Sequence, residues 1–142
     1  MIMKKILLGI LLAFLSILSQ GFTVKKVPPN DIIGIYWSPK KDAKIEIYFK
    51  DLHYFGKFIW AATPRKDIDN PTKSLQNRNI LGLEFLTKFT YDDGVYNGGQ
   101  IYDPETGKTY SCKMSLDGNK LKVRGYMGIS LFGRTEYFER IK

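Results

Sequence analysis

The sequence predicts an all-β domain, an antiparallel sandwich or barrel with one short helix. Three observations predict it. Apolar and polar residues alternate in short runs, as where Ile45, Ile47 and Phe49 interleave with Lys44, Glu46 and Lys50; a period of two belongs to a strand with one buried face. Turn-forming clusters such as Asp92-Asp93-Gly94 and Asp117-Gly118-Asn119 separate these runs, where a parallel fold would need crossover helices. The composition agrees. A chain of 142 residues, 44% hydrophobic, 14% aromatic and 25% charged, suffices for one compact domain and excludes a disordered or collagen-like polymer. Closure into a barrel removes exposed strand edges, which favours the barrel for a soluble exported protein.

The first segment reads as an address. Lys4 and Lys5 precede an apolar-to-small run from Ile6 to Leu18, followed by Ser19-Gln20-Gly21. A short positive region, an apolar stretch and small residues at −3 and −1 describe a secretory signal peptide. Residues 1–21 are therefore expected to leave by cleavage before Phe22, and residues 22–142 to form the domain. The run is shorter than the roughly 20 apolar residues of a spanning helix, so no membrane span is expected after cleavage. The expected location is periplasmic or secreted. An oxidising compartment permits disulfides, but Cys112 is the sole cysteine and cannot form one within the chain. It alternates with Tyr110 and Met114 and reads as a buried, inert thiol.

Pro28-Pro29-Asn30 disfavours helix and makes 22–31 an extended lead-in. Gly34 to Trp37 starts the first strand, and Ser38 to Asp42 turns it into the alternating run at Lys44 to Lys50. Asp51-Leu52-His53 turns again, into Tyr54 to Ala61. Asn70 suits an N-cap and Pro71 the first helical position, so 70–77 is the one expected helix. Ile80 to Phe89 reads as a buried strand with a bend at Gly82, and Asn97-Gly98-Gly99 as a turn. Gly99 to Tyr102, Thr109 to Leu116, Leu121 to Tyr126 and Gly133 to Ile141 complete the strands.

Most chemistries find too few residues. The lone His53 sits by a turn with no nucleophile in a recognisable elbow, so general-base catalysis is not expected. Asp67, Asp69 and Asn70 lack the further oxygen ligands and terminal Glu of a calcium loop and read as a hydrogen-bonded loop. A small hydrolase built on the segment from Asp67 to Arg78 has no support beyond those residues. The formal charge of +8 arises from 17 lysines against 5 arginines, dispersed along the chain. Dispersed lysine makes a solvated surface, and despite Lys25-Lys26 and the Arg124–Tyr126 pair no nucleic acid is expected as partner. No enzyme, metal or cofactor is expected.

The aromatics carry the functional expectation. Nineteen of the twenty follow the leader. A barrel of about eight strands encloses room for side chains or one small ligand, and inward tyrosines would give an apolar cavity with a few hydroxyl handles. Tyr48, Trp60, Phe85, Tyr102 and Tyr110 are the candidate ligand-binding residues.

From Gly34 onward the chain resembles a bacterial family of small exported proteins, classed as a domain of unknown function with a lipocalin-like (calycin) barrel. The stretches that carry the resemblance are Gly34-Ile35-Tyr36, Lys44-Ile45-Glu46-Ile47-Tyr48, Gly56-Lys57, Asp69-Asn70-Pro71, Arg78 and Ile80-Leu81-Gly82-Leu83. The most specific block is Gly98 to Arg140, with Gly-Gly-Gln-Ile-Tyr-Asp-Pro at its start and Phe-Gly-Arg-Thr near its end. The resemblance implies a lipocalin-like antiparallel barrel of about eight strands, export and no established enzymatic activity. In lipocalins an early Gly-x-Trp packs its indole under an Arg of the last strand; here Tyr36 stands in the Trp position and Arg140 is the implied partner in barrel closure. The expected function is non-catalytic binding or carriage of a small apolar or amphipathic molecule in the barrel. The competing expectation is a filled barrel that contacts an envelope or host protein.

Overall fold

The computed structural model describes residues 29–142; the leader expected at 1–21 lies outside the described residues. Eight strands form a closed antiparallel barrel in which each pairs with its sequence neighbours: β1 Gly34–Trp37, β2 Ala43–Lys50, β3 His53–Ala61, β4 Glu84–Asp92, β5 Val95–Asp103, β6 Lys108–Asp117, β7 Lys120–Tyr126 and β8 Arg134–Arg140. The barrel closes by Tyr36 pairing with Arg140 and Trp37 with Glu139. The up-and-down path divides the connections between two ends. Residues 38–42, 62–83, 104–107 and 127–133 make the mouth; the lead-in and the turns at 51–52, 93–94 and 118–119 make the base.

Alternation decides which side chains fill the interior. Ile45 and Ile47 of β2, Cys112 and Met114 of β6, and Leu121 and Val123 of β7 are buried at the predicted period, with Met114 opposite Val123 across the ladder. Phe89 takes the space opposite β5, where a Cβ on Gly99 would stand 2.5 Å from its ring. A bare glycine is what lets this ring occupy the axis. Burial raises the pKa of the Cys112 thiol to about 12, so it is inert at neutral pH.

The lead-in plugs the base. Ile32 is fully buried, and the hydroxyls of Tyr54 and Tyr96 donate to the Pro29 carbonyl at 2.9 and 3.2 Å. Tyr36 donates to Ile32 O at 2.7 Å and accepts from Arg140 Nη2, which also donates to Asp31 O, while Arg140 Nη1 donates to Ile33 O at 2.9 Å. The guanidinium lies 4.8 Å from the Tyr36 ring centroid. Tyr36 and Arg140 thus meet at the base, where β1 pairs with β8.

Filling stops short of the mouth. The inward positions Phe58, Ile101, Tyr110, Gly125 and Glu136 are only half-buried, so the top of the interior is a shallow cup over a packed barrel.

Several local expectations need correction. The short helix expected at 70–77 is a single 3-10 turn at Lys73–Leu75, preceded by Thr72 rather than by the expected cap Asn70. Residues 80–83 form a turn before β4 rather than its first residues. Asn97-Gly98-Gly99 lies inside β5, where the positive φ of Gly98, 73°, accompanies a bulge against β6 in place of a turn.

Candidate functional site

The longest connection, residues 62–83, folds against the outer wall at the mouth. Its two limbs pair loosely: Asp67 N donates to Arg78 O at 3.0 Å and Ile80 N to Arg65 O at 3.0 Å. Ile80 is buried, and Gly82 N donates to Phe58 O at 2.7 Å where the chain rejoins the sheet. At the centre stands Asp67, with no solvent exposure. Its carboxylate accepts from Tyr102 OH at 2.6 Å, from Asn70 Nδ2 at 2.8 Å and from both Nε and Nη2 of Arg78 at 2.8 Å. Burial pushes this carboxyl up, but the bonds from Tyr102, Asn70 and Arg78 and the guanidinium charge outweigh it and hold Asp67 below its ordinary range. Burying a charge is costly unless its lone pairs are used, and here they are used by the three residues that shape the loop. The same donors leave no lone-pair set for calcium.

Gly107, at the turn between β5 and β6, seats this loop. Its φ is 69°, and an added Cβ would approach the backbone oxygen of Asp69 to 2.0 Å. Gly107→Ala is accordingly expected to unseat the loop and to cost about 2–3 kcal/mol of stability by urea unfolding, from left-handed strain and steric displacement together.

Between loop and barrel wall lies a cleft of about 310 Å³. Pro71, Leu83 and Phe85 supply apolar surface; Thr87, Gln100 and Thr109 of the outer wall, with Tyr102 and Arg78, supply polar groups. Thr87 pairs with Gln100 and Tyr102 with Thr109 across the ladders, so these side chains share the outward face. Arg78 Nη1 has no hydrogen-bond partner among the described residues, which leaves one charged donor for an incoming group. Glu84 closes the cleft. A hydrogen bond from Tyr48 is the main reason its pKa lies below the ordinary value, with Lys50 at 3.2 Å adding to the effect.

The candidate residues of the sequence scatter over this geometry. Tyr110 faces the interior, at the cup, opposite Ile101. Phe85 is buried and stacks on Phe58 with centroids 4.2 Å apart, and it also borders the cleft. Tyr102 borders the cleft too, from outside the barrel. Tyr48 and Trp60 are not interior. Tyr48 stands opposite Phe55 on the outer face of β2, because Ile45 and Ile47 occupy the inner positions. Trp60 would share the inward parity of Phe58, but a register shift between Lys44 and Ile45 turns it out. There it is 41% exposed, edge-on to Trp37, with Lys44 Nζ over both rings. His53 begins β3 at the base, its Nδ1 2.8 Å from Asp51 O, at the opposite end from Asp67. Sequence reasoning missed Thr87, Gln100 and Thr109, since exposed polar positions on a strand carry no signal. The spacing of Asp67 and Asn70, with Arg78 eleven positions beyond Asp67, was the legible trace of the hub.

The eight-stranded closed barrel with a tyrosine–arginine base and a single long loop at the mouth defines a lipocalin-like protein. Residues 34–140 match the family described as an uncharacterized protein conserved in bacteria, DUF2147, and the chain belongs to that family. Among solved structures it is similar to HP1028 from the human pathogen Helicobacter pylori, a protein described as belonging to the lipocalin family, at 23% sequence identity with a TM-score of 0.72 over 79% of this chain and 84% of that one. The likeness establishes the fold. No curated protein matches the chain.

Proposed function

We propose that this is a non-catalytic binding protein, acting outside the cytoplasm, that takes one small amphipathic molecule between its long loop and the barrel wall. The cleft of about 310 Å³ carries the reading. Small-molecule sites begin at about 300 Å³ and join apolar walls to a few convergent polar groups. Here Pro71, Leu83 and Phe85 would hold the apolar part of the ligand, while Arg78 Nη1, Gln100 and the threonine hydroxyls would orient its polar end. The fold's membership in a lipocalin-like class supports ligand binding in general terms, and the leader pattern of the sequence supports export. An interior packed below the mouth supports a ligand site at the loop rather than in the lumen, where the sequence suggested it.

The test is titration with a dansylated fatty acid, beside native mass spectrometry of protein recovered from its own host. Gln100→Trp fills the cleft from an exposed strand position and removes no donor or acceptor of the Asp67 hub. It is expected to weaken probe binding at least about tenfold with unfolding unchanged. A variant Tyr110→Ala changes the mouth of the interior instead. If that change abolishes binding and Gln100→Trp does not, the ligand sits in the mouth and the cleft assignment fails. A protein that arrives empty and binds no probe overturns the binding function. The packed interior favours one second reading, a protein-interaction module, which is supported if that empty protein co-purifies with a stoichiometric protein partner.

A further inference from the structure

The two ends of the barrel differ in character. The connection from β7 to β8 projects Met127, Ile129, Leu131 and Phe132 into solvent, each between 59% and 77% exposed. The long loop adds exposed Ile68 and Leu81 at the same end, whereas among the base turns Leu52 is the large apolar side chain left exposed. Charge follows the same division. Lys40, Lys41, Arg65, Lys66 and Lys73 stand exposed on the mouth connections against Asp42, Asp69 and Glu105, and Arg134, paired with Glu136 at 3.0 Å, follows directly on the apolar tip. The base connections carry Asp31, Asp51 and Asp93.

The tip is held ready. Arg124, on the outer face of β7, donates from Nε to Ser130 O at 2.7 Å and from Nη2 to Leu131 O at 3.1 Å, while Nη1 reaches Thr135 Oγ1 at 2.7 Å. Phe132 N donates to Ile129 O at 3.3 Å. The carbonyls of Ile129, Ser130 and Leu131 therefore have internal donors. That matters for a segment leaving water, because an unpaired backbone group in an apolar medium is costly. The arrangement also explains Arg124, whose guanidinium is spent on the loop rather than offered for base stacking.

We infer that the mouth end docks on an anionic lipid surface, with the tip at Met127 to Phe132 seated among the upper acyl chains and the neighbouring cations on the headgroups. A protruding apolar tip at an end with more exposed cations than carboxylates is the pattern of interfacial membrane binding, where buried apolar area and attraction to anionic lipid add together. A second copy of the chain is disfavoured as occupant, since mouth-to-mouth contact would bring these cations together on a protein at +8, or +6 once Lys4 and Lys5 leave with the leader (8 − 2).

The experiment uses the protein recovered after export, mixed with phosphatidylcholine vesicles with and without phosphatidylglycerol. Partition onto the anionic vesicles is expected, weaker with rising salt, and at least about tenfold weaker in Leu131→Asp/Phe132→Asp. A local reporter separates this contact from any other apolar part of the chain. In Phe132→Trp, the added indole is expected to shift to the blue on anionic vesicles and to be quenched by lipids brominated in the upper chain. Partition unchanged by the double substitution, or an added indole that stays unquenched, overturns the proposal. So does a tip-dependent dimer, seen by sedimentation in the absence of lipid, that ignores vesicles.

Discussion

Asp67→Ala is expected to lower the unfolding free energy by about 2–4 kcal/mol in urea titrations, the cost of leaving a buried network without its acceptor. Tyr102, Asn70 and Arg78 all direct donors at this one carboxylate. Without it the guanidinium has no counter-charge and the limbs of the long loop lose what joins them to β5. Asp67→Asn should recover little. An amide supplies one acceptor oxygen and presents an NH₂ to groups that themselves donate. Ligand binding in the cleft should fall with either change, because Arg78 and Tyr102 line it. Acid should mimic the substitution. The folded-state pKa lies below the ordinary 3.8, so the stabilisation is complete above that value and is lost as pH falls through the lower, folded one. Wild type should therefore lose stability relative to Asp67→Asn only on acidification beneath that range; a constant difference between the two would show that the charge contributes nothing.

Arg140→Ala is expected to be comparably severe, about 2–4 kcal/mol, with Tm lower by about 10 °C. One guanidinium donates to the carbonyls of Asp31 and Ile33 and to the Tyr36 hydroxyl while lying over that ring. Those acceptors hold the lead-in across the base, and two ladder pairs with the bond from Ile141 N to Ile35 O close β1 onto β8 beside it. Arg140→Lys should restore less than half the loss, since an ammonium cannot span three acceptors in one plane. Thermal unfolding by circular dichroism measures this, and amide exchange at Ile32 and Tyr36 would report the base opening ahead of the rest.

The barrel was legible where alternation is clean. In β2, β6 and β7 the inward set follows from period two alone, and the turn at Asp117-Gly118 fixes the hairpin between β6 and β7. Tyr36 and Arg140 were legible through the family resemblance, and the register places them directly opposite. The failures have physical reasons. The inside or outside of Trp60 depends on a bulge that exists only once β2 and β3 pair, and no property of either segment alone reveals it. The outward position of Tyr48 is readable from parity, because Ile45 and Ile47 already claim the interior. Asn70 looked like a helix cap because capping and side-chain bridging use the same amide. Its Oδ1 does bond Thr72 N at 2.8 Å, but its Nδ2 is turned to Asp67 and Tyr102. The cleft itself was beyond sequence, since it arises from where a long loop comes to rest.

The even number of strands has a practical corollary. A polypeptide that runs up and down eight times returns to the rim from which it set out, so Pro29 and Lys142 both emerge where Arg140 fastens the plug. A biotin, a fluorophore or a surface coupling fixed at either end of the domain would leave the opposite rim, with its cleft and greasy tip, unobstructed.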